Sequence, residues 1–126
     1  MARIERFEDI EAWKKARELT SEVYRVTRSG SFHEDLGLRD QLQRAAVSTM
    51  ANIAEGFDGG SNREFVKFLG YAFRSATEVQ SHLYVALDQA YITQRDFDSI
   101  YELTVQVKSL VRGFTRYLRS HRRAQP

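Results

Sequence analysis

The only proline in this 126-residue chain is its last residue, Pro126. Proline stops a helix because it lacks an amide donor and its ring clashes with the preceding turn. With none inside the chain, helices can run long, and only glycines and polar clusters remain to end them. Those breaks are few: Gly30, Gly37 and the run Gly56-Phe57-Asp58-Gly59-Gly60. Elsewhere apolar residues recur every three or four positions, and no long period-two segment appears.

Four helices follow from that pattern. The first is expected over about 8–28, with Trp13, Ala16, Leu19, Val23 and Val26 on one face. The second covers about 38–56; Leu42, Ala45, Ala46, Thr49 and Ile53 form its stripe, and Gly56 suits its C-terminus. The third, about 62–91, opens on Ser61-Asn62-Arg63-Glu64, a capping box in which hydroxyl and carboxylate satisfy free amides. A similar box, Thr93-Gln94-Arg95-Asp96, opens the fourth, about 94–120, and a basic tail occupies 121–126. Short connections make neighbours antiparallel. The expected architecture is a single all-α domain over 1–126, an antiparallel up-and-down four-helix bundle.

Several functional classes are disfavoured at this level. No cysteine is present, which removes disulfides and thiolate metal sites. The N-terminus alternates charge and has no apolar signal segment, and no apolar run approaches the ~20 residues of a membrane span. The expected location is cytoplasmic. A di-iron bundle site needs Glu-x-x-His pairs, which the sequence lacks. Glu78 and His82 fall on the polar side of their helix, His33 lies in a loop, and His121 sits in the basic tail. The Gly56–Gly60 run is not followed by the Gly-Lys-Ser/Thr of a phosphate loop. No catalytic site, metal, cofactor or small-molecule substrate is expected.

Three groups of residues carry the functional reading. All 17 acidic residues precede Lys108, whereas six of the 19 basic ones lie from Lys108 onward. Lys108, Arg112, Arg116, Arg119 and Arg123 share one helix face beside the core stripe. Such a row suits phosphate backbones through bidentate bonds and counterion release. It equally suits a solvated helix end, where the dipole favours cations. A second group, Val66, Phe73, Tyr84 and Tyr91, widens the apolar arc of the third helix. It reads either as a subunit interface or as the flank of a central helix packed against two neighbours. The third group is Gln41, Arg44, Ser48, Asn52 and Glu55, a polar stripe on the second helix. It reads as a structural hydrogen-bond network or as a ligand site, and Glu55, disfavoured by the dipole, is expected to pair with Arg44 or Arg63.

The segment Gln43–Phe57, with Asn52-Ile53-Ala54-Glu55-Gly56 near its end, resembles a four-helix-bundle family. That family is named after proteins encoded in intervening sequences of bacterial 23S ribosomal RNA genes. The resemblance extends to Phe7–Ala16 and to Arg63–Leu69 with Ala72, Ser75 and Glu78. Thr49 and Met50 depart from the family's usual Ile-Pro pair, so the second helix should be straighter here. The resemblance implies a cytosolic bundle assembling as a ring-like homopentamer. It also implies kinship with accessory proteins of diversity-generating retroelements, which bind a reverse transcriptase and nucleic acid. It implies no agreed molecular function. The leading expectation is an oligomeric scaffold that binds RNA or DNA backbone, or a nucleic-acid enzyme, through summed basic faces. The alternative is a purely protein-binding assembly module with no nucleic-acid affinity.

Overall fold

The sequence places hydroxyl residues at the start of its two longest apolar stripes, and both act as helix caps. In the computed structural model, which describes residues 3–121, Ser61 Oγ accepts from the Glu64 amide at 3.1 Å. Thr93 Oγ1 likewise accepts from the Asp96 amide at 3.0 Å. Each satisfies a donor that has no partner within its own helix. The elements, in order, are a 3₁₀ turn over Phe7–Asp9 and helices α1 (Glu11–Thr27), α2 (Gly30–Glu34), α3 (Leu36–Asp58), α4 (Asn62–Asp88) and α5 (Gln94–Ser120). Among the described residues there is no strand.

The four long helices close into a square in which α3 packs on α4, α4 on α5, α5 on α1 and α1 on α3. The periodic apolar residues meet at its centre. Leu19, Val23, Leu42, Ile53, Leu69, Leu83, Ile100 and Val107 are fully buried. Burying a side chain of this kind stabilises the fold by about 1.5–3 kcal/mol. The buried hydroxyls return to the helix backbone, as Thr49 does to the Ala45 carbonyl at 2.8 Å. α3 runs without interruption through Thr49 and Met50.

The structure moves several expected boundaries. The first helix starts at Glu11 rather than near residue 8. Ahead of it, the Asp9 carboxylate accepts the Glu5 and Arg6 amides at 3.0 and 3.1 Å, which closes a separate turn and leaves Ile10 extended. Those two amide bonds hold the Asp9 carboxyl below its ordinary range. His33 is not in a loop but in the short helix α2, whose Phe32 is fully buried and stacks on Tyr91 at 5.1 Å. α3 begins two residues before the expected start because Asp35 caps it through the Leu38 amide. It also ends at Asp58, so Gly56 is a buried residue inside the helix and not its terminator. α4 ends at Asp88, short of residue 91, where Ala90 turns left-handed.

Candidate nucleic-acid interface

α4 and α5 lie side by side, and the groove between them gathers the basic row. Lys108, Arg112 and Arg116 line its middle from α5, opposite Phe73 and Gln80 of α4. Towards the C-terminal end of α5, Arg112, Arg116 and Arg119 face Val66, Phe73 and Arg74. Arg74 is a groove cation that the sequence reading missed. Its only signal was adjacency to Phe73, and the pairing of α4 with α5 is what brings it to the arginines of the other helix. Arg123 lies outside the described residues.

Two α4 side chains hold Lys108 and Arg112, the first two members of this row. Gln80 donates to Thr104 Oγ1 at 2.8 Å and accepts from Lys108 Nζ at 3.1 Å. Phe73 carries the Lys108 ammonium at 4.6 Å and the Arg112 guanidinium at 4.7 Å from its ring centroid. Contacts of this kind attract a cation to the ring face without neutralising it. Burial, and then the adjacent Arg112 charge, push the Lys108 ammonium below the ordinary lysine value. Among the described residues, Arg74, Lys108, Arg112, Arg116 and Arg119 form no ion pair. Among the described residues, the lining of the groove thus includes five cations and no carboxylate.

The aromatic stripe divides into part-buried and exposed members. Val66, Phe73 and Tyr91 are half-buried and pack on the core. Phe73 is further covered by the two cations. Tyr91 stacks on Phe32 and donates to Asp35 Oδ2 at 2.9 Å, a bond that raises its phenol above the usual range. Tyr84 differs. It is 50% exposed, with its ring 4.9 Å from Phe97 and 5.9 Å from Tyr101.

The polar stripe of α3 also divides. Ser48 and Ser75 share a hydrogen bond of 2.9 Å across the α3–α4 contact, and the Asn52 amide donates to the Ser48 carbonyl and hydroxyl at 2.9 and 3.0 Å. Ser48, Asn52 and Ser75 form a structural network between α3 and α4. Arg44 and Glu55 point elsewhere; both are exposed. The expected partner of Glu55 is not found: among the described residues it pairs with neither Arg44 nor Arg63, and its side chain is exposed.

The model of 23S rRNA-intervening sequence proteins matches residues 8–113, which includes the interhelical network, the buried Gly56 and most of the groove. The chain belongs to that family. A crystal structure of a protein of unknown function from the S23 ribosomal protein family of Bacteroides thetaiotaomicron VPI-5482 shares the fold. The two are 21% identical with a TM-score of 0.75, and the match covers 83% of this chain and 98% of the other. No curated protein matches the sequence. The comparisons thus give the family and the fold of this chain. Among its described residues no group of three or more His, Cys, Asp or Glu side chains converges as a metal site would require. Among the described residues, His82 Nε2 lies 3.3 Å from Glu78 Oε2. No helix among the described residues is long and apolar enough to cross a membrane.

Proposed function

We propose that this protein is a non-catalytic, cytoplasmic binding scaffold that holds the phosphate backbone of a nucleic acid in the α4–α5 groove. The observation that carries this reading is that, among the described residues, Arg74, Lys108, Arg112, Arg116 and Arg119 have no acidic partner. A merely solubilising surface normally intersperses both signs of charge. Burial first, and the neighbouring Arg112 charge second, disfavour the Lys108 ammonium, and a polyanion would offset the like-charge part of that cost. Arginine also matches phosphate oxygens through two parallel bonds. The groove presents no set of side chains arranged to read base edges, so binding is largely independent of sequence. Self-association into a ring, as the family resemblance implies, would place several such rows on one particle and strengthen binding through multivalency.

The test is a binding titration against RNA and DNA over a range of salt. Neutralising several phosphates makes the affinity fall steeply, with a log–log slope of about −0.7 per contact on single strands. Replacing Arg112, Arg116 and Arg119 together with glutamate is expected to abolish binding and leave helicity intact. Retained affinity in that folded triple variant overturns the reading. An absence of affinity even well below ~0.15 M salt, where attraction is least screened, would favour a protein-only assembly module.

A further inference from the structure

The groove holds aromatic rings as well as cations, and their order along it is informative. Just beyond its lining residues, one turn from Gln80 on α4 and from Val105 on α5, the rings of Tyr84 and Tyr101 cluster with Phe97, within 4.9 to 5.9 Å of one another. Val105, 42% exposed, follows, and then Lys108, Arg112 and Arg116. From Tyr101 to Arg119 is about 27 Å at ~1.5 Å of rise per residue. From these placements we infer that the site takes a single-stranded nucleic acid, its phosphates on the arginine row and a base stacked on Tyr84. This inference rests on the backbone-binding reading and narrows its ligand.

Three features favour a single strand over a duplex. The α5 cations form one row along one helix, matching one line of phosphates, whereas a duplex presents two that diverge across its grooves. The groove lies between two helices packed ~8–10 Å apart, too narrow to seat a double helix sideways. Finally, a half-exposed tyrosine beside a phosphate track contributes little to a duplex, whose bases are hidden, but offers a surface to an unstacked base. The length of about 27 Å suits a short segment, within the ~4–16 nucleotides that one single-strand-binding fold covers.

The experiment compares three probes: an oligouridylate of about 20 nucleotides, its duplex with oligoadenylate, and inorganic polyphosphate of similar charge. Tyr84→Leu removes the aromatic face but keeps apolar packing on Phe97, and Tyr84→Phe keeps both. The unmodified protein should bind the single strand more tightly than the duplex. Tyr84→Leu should weaken single-strand binding about tenfold, within the range measured for loss of one stacking ring. Polyphosphate binding should be unchanged, and Tyr84→Phe should match the unmodified protein. Unaltered single-strand affinity in Tyr84→Leu overturns the inference, as does equal or tighter binding of the duplex. If all three probes bind equally and depend on the arginines, the backbone reading stands and only this inference falls. If none binds, both fall. A drop in light-scattering mass for Tyr84→Leu would assign the ring to contact with a second copy, which also overturns it.

Discussion

Ala90 has φ of 61°, a left-handed conformation that costs an alanine about 1–2 kcal/mol because its Cβ crowds the following carbonyl. The chain adopts it to end α4. The Tyr91 amide reaches back to the Ala86 carbonyl at 2.9 Å and the Ala90 amide to Leu87 at 2.9 Å, the paired bonds of a Schellman cap. The same turn delivers Tyr91 onto Phe32 and Asp35, tying the α4–α5 connection to α2 and the α3 cap. Glycine at position 90 would remove the crowding and lose part of the gain to the unfolded chain's greater freedom. Ala90→Gly should therefore stabilise the protein by about 0.5–1 kcal/mol, raising its thermal midpoint by about 2–4 °C. An unchanged or lower midpoint would mean that the turn relaxes without cost. Nothing in the sequence signals this strain, since alanine is a favourable helix residue and the bend is imposed by where α5 must begin.

At the scale of elements, the α3–α4 contact accounts for much of the family motif. Asn52 and Ser48 form the polar network, Ile53 is fully buried, and Gly56 lets the helices approach. A Cβ on Gly56 would lie 2.8 Å from the Phe68 Cβ and 3.0 Å from the Phe65 ring. The Phe68 Cβ is fixed to the α4 backbone, so relief requires the helices to separate. Alanine's intrinsic helix advantage, about 1 kcal/mol, is opposed by this overlap and the displaced core. Gly56→Ala should destabilise by about 1–2 kcal/mol, seen as a lower denaturant midpoint. Gly70 supplies the control. It is exposed on α4 with nothing within 4 Å of an added Cβ, so the same substitution there should stabilise by up to about 1 kcal/mol. If both changes moved stability in the same direction, close approach would not be the role of Gly56. The sequence suggested a helix terminus at Gly56 because glycine is frequent there, and a glycine that permits a crossing reads identically until its neighbour is known.

For the whole molecule, the proposed ring would sum the basic rows of several bundles. Its mass by light scattering should then be an integral multiple of 14.6 kDa, and RNA affinity should fall when the assembly is diluted to single chains. A mass of 14.6 kDa with undiminished affinity would restrict the function to the groove of one bundle. Of the four residues first read as an interface, Val66, Phe73 and Tyr91 are already engaged within the chain, which leaves Tyr84 as the exposed ring on that stripe. The sequence by itself determined the number and type of the long helices, the N-caps of α4 and α5, and most of the core stripes. Those features depend on residues three or four apart, or on hydroxyls next to free amides, and so are local. It also determined which cations share a face of α5. Only the tertiary structure decided that Arg74 joins them, that Phe73 lies beneath Lys108 and Arg112, and that Gly56 marks a crossing rather than an end. Each of these depends on which helix lies alongside and at what register, and side-chain periodicity along one helix carries no information about the offset of another.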